Sequence, residues 1–130
     1  RGICVIKPGV PGFSENIHAL SIVDKYLEHS RVYIFCNGGD HEYYTSSADW
    51  MPRNFDHRIE VACPIFDSDI RRELWDVLHI QMRDNIKSRY LGPGNLNHYR
   101  KFPEEEPHRA QFEIYDYYIN LCLHPRQVSG

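Results

Sequence analysis

The chain has 130 residues and a mass of 15.4 kDa, enough for one hydrophobic core and too little for two. Apolar residues make up 42% and charged residues 25%, with Gly and Pro scattered, which excludes a disordered tail and a low-complexity tract. Fifteen Lys plus Arg against eighteen Asp plus Glu leave a net charge of -3, which argues against generic binding to nucleic acid or anionic membrane. Any anion site must therefore be local. The positive charge is mostly Arg, eleven against four Lys, and the planar Arg fork suits phosphate or carboxylate. No apolar stretch approaches the roughly 18 residues of a membrane span, and no basic start followed by an apolar block marks a signal peptide. The sequence reads as one soluble domain over residues 1–130, ordered to about residue 122, with residues 123–130 as a fraying tail.

Ile3, Cys4, Val5 and Ile6 predict a buried strand over residues 2–7, which Pro8-Gly9-Val10-Pro11-Gly12 breaks. A strand so close to Arg1 reads as a domain cut from a longer polypeptide, with the missing sequence before Arg1. Ser14 is placed to cap a turn over residues 15–18, and residues 19–23 favour a strand. Residues 31–36, β-branched and aromatic, run into Asn37-Gly38-Gly39-Asp40 and return through residues 43–46, the best hairpin in the chain. Residues 58–63 form another strand, stopped by Pro64. Ile70, Leu74, Val77, Leu78, Ile86 and Tyr90 recur at helical spacing, which predicts an amphipathic helix over residues 68–90 ended by Gly92-Pro93-Gly94. The segment to His108 reads as an exposed loop, and a last helix covers residues 110–122.

Cys4, Cys36, Cys63 and Cys122 lie far apart with no C-x-x-C pair, so they read as buried thiols in a reducing, intracellular setting. The histidines show no H-x-x-x-H or H-E-x-x-H spacing, and no metal site is assigned to them. His29 and Arg31 alternate onto one face at the mouth of the hairpin strand. Such a pair either holds an anion, with Arg supplying fixed charge and His a proton near neutral pH, or is a plain surface pair. The hairpin brings Ser46-Ser47-Ala48-Asp49-Trp50-Met51-Pro52-Arg53-Asn54 close to it. Here Ser47 and Asp49 either orient the His or contact a phosphate oxygen, with Trp50 and Met51 packed beneath, or they finish a capped turn. Arg58 and Glu60 share a strand face and read as a pair.

These segments together resemble a known family. The order Arg1-Gly2-Ile3-Cys4, Ser21-Ile22-Val23-Asp24, Leu27-Glu28-His29-Ser30-Arg31, Asn37-Gly38-Gly39 and the nine residues from Ser46 resembles the C-terminal part of bacterial polyphosphate kinase, the long multi-domain class. The likeness continues through Arg58-Ile59-Glu60-Val61 and Arg109-Ala110-Gln111 to about Leu121. That family is similar in fold to phospholipase D. The resemblance therefore implies an α/β fold, a phospholipase D-like half with a mixed β-sheet and flanking helices, facing a related preceding domain across an active site. The phospholipase D pattern is His-x-Lys, an Asp five residues on, and Gly-Ser-x-Asn; here these read His29-Ser30-Arg31, Cys36 and Ser46-Ser47-Ala48-Asp49. The departures fit the kinase branch rather than general phosphodiester hydrolysis.

The resemblance further implies reversible transfer of the terminal phosphoryl group of ATP to inorganic polyphosphate through a phosphohistidine. That histidine belongs to the preceding domain, so this fragment by itself is expected to be inactive. Arg1 matches a position that contacts the nucleotide's phosphates. His29 matches the second active-site His, a phosphate ligand or general acid/base, with Arg31, Ser47, Asp49, Arg53 and Arg58 as supporting candidates. Magnesium ligands are expected in the preceding part. The implied partners are ATP or ADP, polyphosphate, the preceding domains and further copies in a homo-oligomer, in the cytoplasm or peripheral to the membrane, without nucleic acid. Two other readings stand beside it: a non-catalytic polyanion-binding or assembly domain, and a phospholipase D-like phosphodiesterase.

Overall fold

The structure, a computed structural model, describes residues 7–92, 98–101 and 106–124. Arg1, Cys4, most of the strand expected over residues 2–7 and the tail from residue 125 lie outside the described residues. In chain order the elements are β1 (Ala19–Ile22), β2 (Val32–Phe35), β3 (Glu42–Ser46), α1 (Pro52–His57), β4 (Ala62–Ile65), α2 (Ser68–Arg83), β5 (Ser88–Leu91), β6 (His98–Tyr99) and α3 (Ala110–Leu123). The fold is α/β: two three-stranded sheets, ordered β1-β5-β6 and β2-β3-β4, with every described pairing antiparallel, accompanied by helices. The chain divides into two compact units, Glu28–Val77 and a second made of Arg1–Leu27 and Leu78–Gly130.

In the Glu28–Val77 unit the expected hairpin forms, with Val32 opposite Thr45 and Phe35 opposite Glu42. Its turn demands three successive left-handed residues, Asn37, Gly38 and Gly39, at φ 43°, 67° and 106°. Glycine takes such angles without a steric penalty and Asn tolerates them, which explains why the strand stops there. The third strand is shifted from its expected place: β4 occupies residues 62–65, with Pro64 inside it opposite Tyr44. A proline cannot donate to a ladder, but β4 is a sheet edge, where one unpaired side is tolerated. Between β3 and β4, Met51 is extended and Pro52 takes the first position of α1, where its missing N–H costs nothing. That short helix was not evident from the apolar pattern. The Asp67 carboxylate then accepts from the N–H groups of Asp69 and Ile70 at 2.9 and 3.0 Å and starts α2.

The helix expected over residues 68–90 ends at Arg83. Asp84 stops it by drawing the next N–H groups onto its own side chain: Oδ1 accepts from Ile86, Lys87 and Ser88 at 3.0, 2.6 and 2.7 Å. Tyr90 therefore lies in β5, opposite Leu20, and not on a helix stripe. The other oxygen of Asp84 accepts from Ala110 N–H at 2.8 Å and so supplies the cap that Arg109, at the start of α3, lacks. Arg109 in turn grips Asp24 with two hydrogen bonds of 2.8 and 2.6 Å, while Gln111 bonds both the N–H and the carbonyl of Tyr26. Ser14 does not cap forward; its hydroxyl accepts from Val10 N–H at 3.0 Å and donates to the Lys7 carbonyl at 2.5 Å, closing the glycine-proline loop. Part of the segment expected as loop pairs as β6 against β5.

Among the described residues few large apolar side chains are buried. Ile59 is fully exposed and Leu27 91% exposed, and Phe13, Phe66 and Trp50 follow closely. Cys36, Cys63 and Cys122 carry free thiols as expected, but they are exposed, which corrects the expectation of buried ones.

Candidate functional site

The site lies at one end of the β2-β3-β4 sheet. The ladder continues past its strands: Ser46 N–H donates to the Arg31 carbonyl at 3.0 Å, and Ser47 N–H donates to the Val61 carbonyl at 3.0 Å. The lead-in to β2, the exit of β3 and the approach to β4 are thus held side by side. Arg31, only 19% exposed, donates from Nε to Asp49 Oδ1 at 2.8 Å. The rest of its guanidinium turns to His29. Nη2 lies 3.2 Å from Nε2 of the ring, and Nη1 donates to the His29 carbonyl at 3.4 Å. The His29 side chain itself is exposed. Asp49 is held below the ordinary carboxylate range, first by the hydrogen bond from Arg31 and further by the charge of Arg31 and Arg53, with desolvation opposing. The same bond raises the Arg31 guanidinium.

A second network stands beside the first. Ser47 Oγ donates to Glu60 Oε2, and Asn54 Nδ2 donates to Glu60 Oε1 at 2.7 Å. The Ser47 hydroxyl also accepts from Val61 N–H at 3.1 Å. These hydrogen bonds, Ser47 first and Asn54 second, hold the Glu60 carboxyl below its usual range. Asn54 is 2% exposed, and its Oδ1 has no partner among the described residues. Trp50 does not pack beneath. It is 70% exposed, stacks on Tyr33 with ring centroids 5.8 Å apart, and donates its indole N–H to the Tyr33 hydroxyl at 2.8 Å.

Of the residues singled out from sequence, the structure brings together His29, Arg31 and Asp49. It places Ser47 on Glu60, whereas Arg58, expected to pair with Glu60, is exposed and forms no ion pair among the described residues; Arg53 is likewise exposed. Arg1 lies outside the described residues. Tyr33 and Asn54 carry parts of the site that sequence reasoning did not assign. Asn54 closes the nine-residue block from Ser46, and Tyr33 shares the strand face of His29 and Arg31, so the signal for each was positional. Among the described residues no group of three or more His, Cys, Asp or Glu side chains converges as a metal site. Asp49 and Glu60 are already committed to Arg31 and to Ser47 with Asn54, so they do not fit a magnesium cage.

A family model described as the polyphosphate kinase C-terminal domain 2 matches residues 1–111. The chain belongs to this family. It is 49% identical over 121 residues to the polyphosphate kinase of Escherichia coli strain K12, covering 93% of this chain and 18% of that protein. It is 43% identical over 130 residues to the polyphosphate kinase of Vibrio vulnificus strain YJ016, covering 100% of this chain and 19% of that one. A crystal structure of polyphosphate kinase from Porphyromonas gingivalis superposes with a TM-score of 0.87 at 49% identity, over 92% of this chain and 18% of the other. The chain thus spans about a fifth of the length of these polyphosphate kinases. The α/β architecture expected from the resemblance is the one observed. No described helix is long and apolar enough to cross a membrane.

Proposed function

We propose that a longer polypeptide carrying this chain transfers the terminal phosphoryl group of ATP reversibly to inorganic polyphosphate, and that this chain supplies part of the clamp around the transferred group. Supporting the reading is one observation above others: within a chain of this family, the His29 imidazole is exposed yet gripped at ring and carbonyl by one guanidinium. Phosphoryl transfer depends on positioning and on neutralising charge spread over oxygens, which a fixed imidazole beside Arg side chains provides. In this reading His29 and Arg1 contact phosphate oxygens. Arg53 and Arg58, exposed and without carboxylate partners among the described residues, are free to join them. Ser47, committed to Glu60, supports the sheet end.

The phosphohistidine and the magnesium ligands come from outside this chain. Magnesium would screen the phosphate oxygens. The residues of this chain orient them. The exposed apolar side chains, Ile59 and Leu27 foremost, are surface for the rest of the polypeptide or for a second copy in a homo-oligomer. The site of action is the cytoplasm, where ATP is at hand.

The test is His29→Ala in the full-length enzyme. Loss of one charge-assisted contact of roughly 1.5–3 kcal/mol slows polyphosphate synthesis by about one to two orders of magnitude. An exposed ring makes little contribution to the fold, so the thermal unfolding midpoint stays in place. Undiminished turnover would contradict the assignment; weakened polymer binding with intact turnover would favour a binding domain. By the same logic this chain alone forms no polyphosphate from ATP.

A further inference from the structure

We infer that Asp49 and Arg31 are positioning residues that fix the tautomer of His29, so that His29 meets phosphate as a neutral hydrogen-bond donor through Nδ1. The inference rests on the phosphotransferase reading for the identity of the ligand, but its geometry stands by itself.

A guanidinium has five N–H donors and no acceptor. The contact of 3.2 Å between Arg31 Nη2 and His29 Nε2 therefore needs a lone pair on Nε2. A neutral ring with a bare Nε2 carries its proton on Nδ1. This is the reverse of the tautomer that a free histidine side chain prefers, so the protein must impose it. It does so through two linked contacts. Asp49 takes Arg31 Nε at 2.8 Å and sets the plane and height of the fork. The two remaining nitrogens of that fork then meet the ring and the carbonyl of the same residue, His29, which restricts both its backbone and its side chain. Arg31 is well covered while His29 is exposed, so the guanidinium that holds the ring is the more sheltered partner. The rigid fork matters, because a lysine ammonium is a point charge on a flexible stem and cannot reach all three acceptors in this arrangement.

The chemical consequence is a division of labour. His29 Nδ1–H donates to an oxygen of the phosphoryl group and keeps its proton; no bond forms or breaks at the ring. Arg31 contributes its charge from behind the ring, with three of its five N–H donors committed to Asp49 and His29. Arg53, whose charge bears on Asp49, and Arg58, whose charge bears on Glu60, are the cations among the described residues available for direct contact.

The experiment uses the full-length enzyme labelled with 15N-histidine, with the His29 signals identified by their loss in His29→Gln. The wild type at neutral pH is expected to show a protonated Nδ1 and a bare Nε2. In Asp49→Asn and in Arg31→Lys the ring returns towards the Nε2–H form, and kcat for polyphosphate synthesis falls about tenfold while KM for ATP changes less. Asp49→Glu, which restores a carboxylate, recovers most of both signals. A protonated Nε2 in the wild type, or an unchanged tautomer and kcat in Asp49→Asn, overturns the inference. The spectrum does not depend on which substrate is used, so absent polyphosphate synthesis by the wild type would refute the phosphotransferase reading alone, leaving the tautomer to be decided by the spectrum.

Discussion

Asp84 and Asp49 are the same residue type put to different use in the two units. Asp84 is fully buried, and four backbone N–H groups occupy its two carboxylate oxygens. Its network ends inside the protein, joining the end of α2, the start of β5 and the first turn of α3. Asp49 sits partly in solvent, and its network runs through one guanidinium to an imidazole that faces outward. The contrast teaches that a carboxylate's role is set by where its chain of contacts stops. One that closes on backbone holds the fold, and one that ends on an exposed ring leaves a side chain open to solvent.

The largest effect should come from the buried side. Asp84→Ala leaves four backbone donors without their acceptor, which at about 1 kcal/mol each destabilises the protein by about 3–5 kcal/mol in denaturant unfolding. A cost below about 1 kcal/mol would break the comparison. Asp49→Asn should lower activity far more than stability.

Acid provides the next test. Asp24 is held below the ordinary carboxylate range, first by its hydrogen bond with Arg109, and Asp49 and Glu60 are lowered as well. Groups whose folded pKa is depressed bind fewer protons in the native state than in the unfolded chain. Their stabilisation is present above the unfolded values near pH 4 and is lost as pH falls through the lower folded values. Asp24→Asn should therefore flatten the acid limb of a stability-against-pH curve. It should do so more than Asp49→Asn, because the Asp24 side chain is 2% exposed and that of Asp49 34%. Equal flattening would mean that the Asp49 carboxylate is as well shielded as that of Asp24.

Smallest is Tyr33→Phe, which removes the hydroxyl that accepts the Trp50 indole N–H. The stability loss should be about 1 kcal/mol or less. Trp50 fluorescence anisotropy should fall as the ring is released; unchanged anisotropy would show that stacking alone fixes it.

Much of this was legible in the chain. The Asn37-Gly38-Gly39 turn gave away the hairpin because only such residues accept three left-handed conformations in a row. The alternation of His29 and Arg31, with Asp49 returned by the hairpin, foretold that the three lie close together, although Asp49 bonds Arg31 and not the ring. The end of α2 was hidden because Ile86 and Tyr90 continue the helical spacing, while the Asp84 side chain that interrupts it acts through hydrogen bonds that periodicity does not register. Pro64 misled because its effect depends on whether the strand is central or at an edge, which is a property of the assembled sheet. The partner of Glu60 was missed for a similar reason. Arg58 matches it in charge, but Ser47 and Asn54 reach it through the β3-β4 pairing and the short helix α1.

The most direct measurement is a structure of the full-length enzyme with a non-hydrolysable ATP analogue. The account predicts His29 Nδ1 at about 2.7–3.2 Å from a phosphate oxygen, with Nε2 still against Arg31. A His29 ring covered by another domain, or turned so that Nε2 meets the phosphate and Arg31 has let go, would contradict it.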